Sequence, residues 1–440
     1  MYATMKGRRN TMNYQDTYLK ILSNELIPAM GCTEPIALAY CSALARQILG
    51  RLPDRILVEV SGNIVKNVKS VVVPNTNNMR GLTAAIAIGM IAGKPERKLE
   101  VIADVTSKEI EEMREYMRTA EIKVDIAHSR LTFDIIISAF KDGDSAKVRI
   151  AKQHTNVVYM EKNGEILTDI PVEDDEASTD DMRKELTIEK IYRFANEIEL
   201  AKIRPLLKKQ LQYNYAIAEE GLRNSYGANI GSTLMETNKA ILMQGGELAL
   251  RIRAIAMAAA GSDARMSGCE MPVIINSGSG NQGITVCVPV VVYAKAMNVP
   301  EEKLYRALAL ANLIAIYQRA PIGTLSAYCG AINAGIAAAC GIAYLKAADY
   351  ETISHLLVNA LAIISGVVCD GAKPSCAGKI AMAVECGLLG YEMYLLGNQF
   401  VAGDGIVKKG VENTIQSVGR LGRVGMAGTD REILRIMLED

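Results

Sequence analysis

The chain has no tryptophan, four phenylalanines and three histidines in 440 residues. Without tryptophan the aromatic belt that usually marks a membrane interface is missing. The three histidines, His128, His154 and His355, are scattered with no partner pattern, so nothing supports a Ser-His-Asp triad. No C-x-x-C pair exists either, and the usual zinc-finger spacings are absent. Neither sign of charge is in excess, with 49 Lys and Arg against 49 Asp and Glu, so no global field draws in nucleic acid or anionic lipid. The start, Met1 to Asn10, is basic and polar with no apolar core of a signal peptide, and no secretory signal is expected. The nine cysteines are an odd number in a long chain. A cytoplasmic location follows as an expectation, with cysteines reduced, metal-bound or catalytic rather than paired as disulfides.

What the chain has in quantity is small residues. Half of it is apolar, but alanine and 36 glycines take the place of aromatics, which favours tightly packed helices with close backbones. Ala320 to Leu345 carries no charge and is long enough to span a bilayer. Pro321, several glycines, Asn333 and the scarcity of large aliphatics make it a buried core helix instead.

The length suits two or three domains. Tyr14 to Ile27 has apolar residues in helical register and stops at Pro28; Pro35 opens a second helix to about Leu49. From Arg55 to about Ile170, short β-branched runs predict strands at Ile56–Val60, Val71–Val73, Leu99–Ile102, Ile122–Ile126, Phe133–Ser138, Ala146–Ala151 and Val157–Met160. Helices are expected at Gly81–Ala92 and Ser107–Thr119. Pro171 to Asp181 reads as an acidic, solvated linker. From Thr187 onward nearly everything is helical: Ile188–Glu199, Ile203–Arg223, Leu234–Ala260, Thr285–Ala296, Glu302–Ile316, the Ala/Gly-rich segments, and a closing helix at Asp430–Met437. The predicted fold class is α+β: a large, mostly helical domain beside a smaller α/β domain with a mostly antiparallel sheet. Its parts are N-terminal helices over 1–54 packed on the helical domain, the α/β domain over 55–170, a linker over 171–186 and the helical domain over 187–440.

Four cysteines stand out. Cys369 and Cys376 flank a turn punctuated by Gly371, Pro374 and Gly378, which lets both thiols face one centre. Cys329 lies upstream in Tyr-Cys-Gly, and Cys32 in Gly-Cys-Thr-Glu-Pro. Iron–sulfur clusters need thiolates that the fold gathers from separate segments, and three of them leave one iron open as a Lewis acid. Ordinary small buried cysteines are the other reading of the same spacing. Cys32 sits just before a helix start, where N–H groups and the helix dipole favour a thiolate. Asn276-Ser-Gly-Ser-Gly-Asn-Gln-Gly283 is a glycine-rich loop leading into a helix, a place for a phosphate, a carboxylate or a pyridoxal phosphate tail, or simply a tight turn. A polar loop pair, with Lys66, Asn67, Asn75, Thr76 and Arg80, could face an acidic substrate or be surface turn chemistry.

Taken together, Gly31-Cys-Thr-Glu-Pro35, Lys66-Asn-Val, Val73-Pro-Asn-Thr76, Asn276-Ser-Gly-Ser-Gly280, Tyr328-Cys-Gly330 and Cys369-Asp-Gly-Ala-Lys373 with Cys376 resemble the iron–sulfur serine dehydratase alpha-chain superfamily. The branch most similar is that of L-cysteine desulfidase and its uncharacterised bacterial relatives. The resemblance implies a [4Fe–4S] lyase without pyridoxal phosphate, ligated by Cys329, Cys369 and Cys376, and a homodimer. It also implies a substrate-carboxylate site formed by Ser277, Gly278, Ser279, Gly280 and Asn281, with Asn67, Asn75 and Thr76 nearby. Where the serine dehydratases carry a serine-histidine segment, this chain offers Cys32. Cys32 is thus the first choice for the base and Lys66 the second, and Cys32 as fourth cluster ligand is the alternative. The expected reaction is elimination of sulfide from L-cysteine to pyruvate, ammonia and hydrogen sulfide. L-Serine dehydration is the nearest rival; a pyridoxal phosphate lyase and a non-enzymatic membrane or ligand-binding protein are more distant ones.

Overall fold

In the computed structural model, which describes residues 13–129, 131–172, 181–323 and 325–439, helix α1 (Tyr14–Glu25) starts at Asn13 and buries Tyr18, Ile21 and Leu22 along one face. Proline ends it, and Pro28–Met30 forms a short strand, β1, that the sequence pattern did not predict. α2 (Thr33–Leu49) then begins with Pro35 in its first turn and ends on Gly50 in the left-handed region. The residues 1–10, and 173–180 of the acidic stretch, lie outside the described residues.

The next part alternates short helices and strands: β2 (Arg55–Val60), α3 (Gly62–Val68), α4 (Gly81–Ala92), α5 (Ser107–Thr119), β3 (Glu121–Ile126), β4 (Asp134–Lys141), β5 (Asp144–Ala151), β6 (Val157–Lys162) and β7 (Glu165–Asp169). The six strands form one sheet in the order β3-β2-β4-β5-β6-β7. Only the β2–β3 pair is parallel; the other neighbours are antiparallel, as the α+β prediction has it. Ile56, Val58 and Val60 alternate into the core, with Val58 opposite Ile137 of β4. α2 covers β4 and β5, and the apolar α4 packs against α2.

Two predicted strands are corrected here. Val71–Val73 contributes only an isolated bridge, Val72 to Arg80. Leu99 lies in a 3₁₀ turn over Pro95–Glu100, with Val101 and Ile102 buried in turns behind it. A run of three or four apolar residues fills a buried turn as well as a strand, and neither has a partner strand beside it. The polar stretch after β2 is also not a loop. Ile64 and Val68, four apart, seat α3 in the core.

The remainder is helical apart from β8: α6 (Ile188–Glu197), α7 (Leu200–Arg223), α8 (Ile230–Thr237), α9 (Lys239–Gln244), α10 (Gly246–Met266), β8 (Pro272–Ile274), α11 (Gly280–Ala296), α12 (Glu301–Arg319), α13 (Ala331–Leu345), α14 (Tyr350–Ile363), α15 (Cys376–Leu395), α16 (Val411–Arg420) and α17 (Ala427–Leu438). The single helix predicted over 234–260 is broken at Asn238 and again at Gly245 and Gly246, both at positive φ. α13 is buried along its whole length, packed against α11, α12 and α15. Gly387 of α15 allows that contact, since a Cβ there would meet the Ala339 Cβ at 2.8 Å. Among the described residues no helix is long and apolar enough to cross a membrane. β1 pairs antiparallel with β8, Ala29 opposite Val273, and this two-stranded clip sets the start of α2 beside the start of α11.

Asp263, 1% exposed inside α10, receives the N–H of Gly231 at 2.9 Å and so closes the start of α8 from a neighbouring helix. Its other oxygen is unpartnered, and burial raises its pKa to about 6. A carboxyl whose folded pKa is raised contributes stability below its ordinary pKa and loses it as pH rises through the folded value. Between pH 5 and 7.5, wild type should lose stability relative to Asp263→Asn, by about 1.4 kcal/mol. Melting temperatures of the two proteins across that range check the difference; parallel curves would refute it.

Candidate active site

The glycine-rich loop folds into a tight turn between β8 and α11. Asn276 and Ser279 exchange backbone hydrogen bonds at 3.1 and 3.0 Å, while Ser277 and Gly278 both take positive φ, 49° and 76°. Behind it lies a buried network of amides. Asn276 donates to the Asn312 side chain at 2.9 Å, Asn312 and Gln210 exchange hydrogen bonds at 2.8 and 2.9 Å, and Asn214 grips both backbone groups of Ile274. Such a network fixes the loop, because each buried amide that lost its partner would carry an unsatisfied polar group. Ser279 caps α11 without a side-chain hydrogen bond, so its hydroxyl leaves the first N–H groups of the helix uncapped, an arrangement that suits an anion.

Opposite, two backbone bonds clamp the cysteine segments together. The Cys329 N–H donates to the Val367 carbonyl at 2.8 Å and the Cys369 N–H to the Ala327 carbonyl at 2.6 Å, with Tyr328 bridged to Val368 between them. Cys376 opens α15. Cys329, Cys369 and Cys376 therefore line one cavity of about 100 Å³, together with Cys32, Asn67, Ser277, Gly278, Ser279 and Asn281. The Cys329 and Cys369 thiols interact, which pushes Cys329 up and Cys369 below the usual thiol range. Lys66, the Gly371 N–H and Arg319 also favour the Cys369 thiolate, although burial opposes it. Around the turn, Lys379 donates to the Val368 carbonyl and to Asp370, each at 2.7 Å, and Lys373 is paired with Asp370.

Three groups that the motifs did not single out complete the walls. Arg265, 4% exposed at the end of α10, donates to Asn281 Oδ1 at 3.2 Å, while its Nε has no protein partner. A buried guanidinium with a donor left open is a site for a carboxylate. Glu34, in the first turn of α2, accepts from the Thr33 hydroxyl at 3.0 Å, and the same hydroxyl reaches the Gly278 carbonyl. His154 enters from the turn between β5 and β6, buried, with Nε2 unpartnered. Arg265 is legible afterwards as a lone cation in the alanine-rich end of α10. Glu34 stood within a quoted motif, and His154 had no sequence signal beyond its rarity.

Four expectations change. Cys32 does precede a helix, but it is 1% exposed and its thiol is pushed up to about 12, because burial outweighs Arg265, the one nearby group that favours the thiolate. Its thiol points to Met266 Sδ at 4.0 Å. Lys66 lies in α3, not in a loop; its Nζ is ion-paired with Asp430 of α17 and donates to the Cys369 carbonyl at 3.3 Å, away from the cavity lining. Asn75 turns its amide to the carbonyls of Ile102 and Ala103, and Thr76 bonds the Val73 carbonyl at 2.6 Å. Both stabilise their own loop, where Asn75 takes a positive φ of 57°.

The donor set suits an iron–sulfur cluster. Three thiols line one cavity, with Lys66, Lys373 and Lys379 around the turn that carries two of them. Among the described residues no group of three or more His, Cys, Asp or Glu side chains could hold a single metal ion. In a four-iron cluster each thiolate binds a different iron, so the ligands need not meet at a point.

A family model described as "Serine dehydratase alpha chain" matches residues 96–435. Similar proteins include a UPF0597 protein of Desulfitobacterium hafniense, 53% identical over 97% of each chain. A UPF0597 protein of Lachnoclostridium phytofermentans is 47% identical, covering 96% of this chain and 99% of its own. One of Treponema denticola is 44% identical over 97% and 98%.

Gly280 has no room for a side chain, since a Cβ would lie 2.2 Å from Arg265 Nε and 2.7 Å from Val273 Cγ2. Gly280→Ala should destabilise by about 1–3 kcal/mol through overpacking and displace the guanidinium. Gly378→Ala, in a helix with open space around it, should be neutral or stabilising. Urea unfolding of the pair gives the contrast; equal midpoints would show that Arg265 is not held against Gly280.

Proposed function

The chain belongs to the serine dehydratase alpha-chain family, and from that premise we propose that it is a lyase eliminating sulfide from L-cysteine, with a [4Fe–4S] cluster held by Cys329, Cys369 and Cys376. The products are pyruvate, ammonia and hydrogen sulfide. The observation that carries this reading is the meeting of three thiols, a fourth on Cys32 and an anion-binding loop with a buried guanidinium on one small cavity.

When bound, the cluster supplies an open iron whose Lewis acidity stabilises the departing sulfur as an anion. The chain does the rest. Arg265, the Ser277 and Ser279 side of the loop and the uncapped N–H groups of α11 hold the substrate carboxylate. Glu34 supplies the negative charge that a zwitterionic amino acid needs at its other end. Cys32 faces the same space as a protonated thiol, a proton carrier beside the reacting carbons rather than the ready-made thiolate its sequence position suggested. Lys66 and Asp430 act at a distance: their ion pair pins the Cys369 carbonyl and joins α17 to the cysteine turn.

A second reading shares every residue. In it hydroxide leaves instead of sulfide and the substrate is L-serine; the description of the matching family model favours it.

Anaerobic purification with iron and acid-labile sulfide assays, alongside sulfide release from L-cysteine and pyruvate formation from L-serine, tests both. The expected result is stoichiometric iron and sulfide with cysteine turned over faster. Faster serine turnover selects the second reading, and a protein free of iron after anaerobic reconstitution defeats both. Cys32→Ser should retain iron and lose activity by 10²-fold or more, on the order expected for a proton-transfer group. Loss of iron in that variant would make Cys32 a cluster ligand instead.

A further inference from the structure

His154 belongs to the sheet but faces the cavity built by the helices. Its ring is 7% exposed, with Phe133 edge-on at 4.7 Å between centroids. Gly278 runs beneath it so closely that a Cβ there would lie 3.1 Å from Cε1. Nε2 is buried and has no hydrogen-bond partner. A polar nitrogen kept out of water and away from protein partners carries a desolvation penalty, and a cavity wall is where a ligand relieves it. The charged groups that bear on the ring are Glu34 at the start of α2, which favours the imidazolium, and Arg265 at the end of α10, which opposes it. Burial is the largest influence and holds the pKa below the ordinary histidine value, so the ring is a neutral proton acceptor at neutral pH. Cys32, lining the same cavity, keeps its proton.

We propose that His154 is the catalytic base of the elimination, its Nε2 taking the Cα proton of the amino-acid substrate; the inference rests on the function proposed above. The Cα–H electron pair becomes the Cα–Cβ π bond, and the Cβ–S bond breaks with its pair on sulfur. His154 carries the extra proton until it passes to the departing sulfide or to solvent. The 2-aminoacrylate released tautomerises to the imine, adds water and loses ammonia. Cysteine and water thus balance against pyruvate, ammonia and hydrogen sulfide with no oxidant or reductant.

The test uses the anaerobically reconstituted enzyme as wild type, His154→Gln and His154→Ala. Both variants should match wild type in iron and acid-labile sulfide, while kcat falls on the order of 10²- to 10⁴-fold and KM stays within about threefold. Residual turnover of His154→Gln should lack the acidic limb of the pH profile, and added imidazole should restore part of the activity of His154→Ala. Apart from activity, NMR of the cluster-free protein should show one imidazole C–H signal, absent in His154→Gln, that titrates below the ordinary histidine range. The proposal is overturned if His154→Gln keeps activity within threefold, if KM alone rises, if the acidic limb persists, or if imidazole rescues nothing. Wild type that loads its cluster but releases neither sulfide nor pyruvate would instead refute the underlying function, and this inference with it.

Discussion

Two buried guanidinium groups, Arg265 and Arg319, line the cavity, and Arg265 lies against the glycine-rich loop. Arg265 ends α10 almost out of reach of water, donating to the Asn281 side-chain amide, with no partner for its Nε among the described residues. A guanidinium cannot shed its proton to escape burial, as a lysine can. The polar groups around it suit its charge: Asn281 presents an oxygen, Gly280 leaves room where a Cβ would lie 2.2 Å from its Nε, and Glu34 lines the same space.

The same logic separates the thiols. Cys32 and Cys369 both line the cavity, yet their protons are held oppositely. Cys369 interacts with the Cys329 thiol and lies near Lys66, Arg319 and the Gly371 N–H, which together outweigh burial. Cys32 has only Arg265 on the favourable side, and burial wins. A helix start matters little to a side chain that does not bond to it, and Cys32 makes no capping hydrogen bond. Of the four cavity thiols only Cys369 is shifted toward the thiolate; burial and neighbouring sulfurs hold Cys32, Cys329 and Cys376 on the protonated side.

Assembly draws on distant parts of the chain. The β1–β8 clip brings residue 32 to the loop at 276–280, the 327–329 and 367–369 backbone pairs join the cysteine segments, and a sheet turn delivers His154. α17 closes back through the Asp430–Lys66 pair onto the carbonyl of Cys369. These ties lie between close-packed alanine and glycine surfaces, where there is little freedom to drift.

Local pattern alone was enough for the α+β class, the mostly antiparallel sheet, most of the helices and the segments that carry the cysteines, though not for the breaks at Asn238 and Gly245, since turn punctuation and apolar periodicity are properties of neighbouring residues. It misjudged Val71–Val73 and Leu99–Ile102, whose apolar character reflects burial in turns rather than pairing. It also placed Lys66 at a substrate and Asn75 and Thr76 beside it, because a polar side chain's direction depends on partners far along the chain, here Asp430, Ile102 and Ala103. Arg265 and His154 carried no motif; an isolated arginine or histidine has no meaning until folding shows what lies within reach of its nitrogen. The protonation of Cys32 was likewise a tertiary matter, since its helix start was visible in sequence and its desolvation was not. Residue types and their spacing determined which chemistry was available; only the packing of helices against the sheet decided which groups meet, and in what charge state.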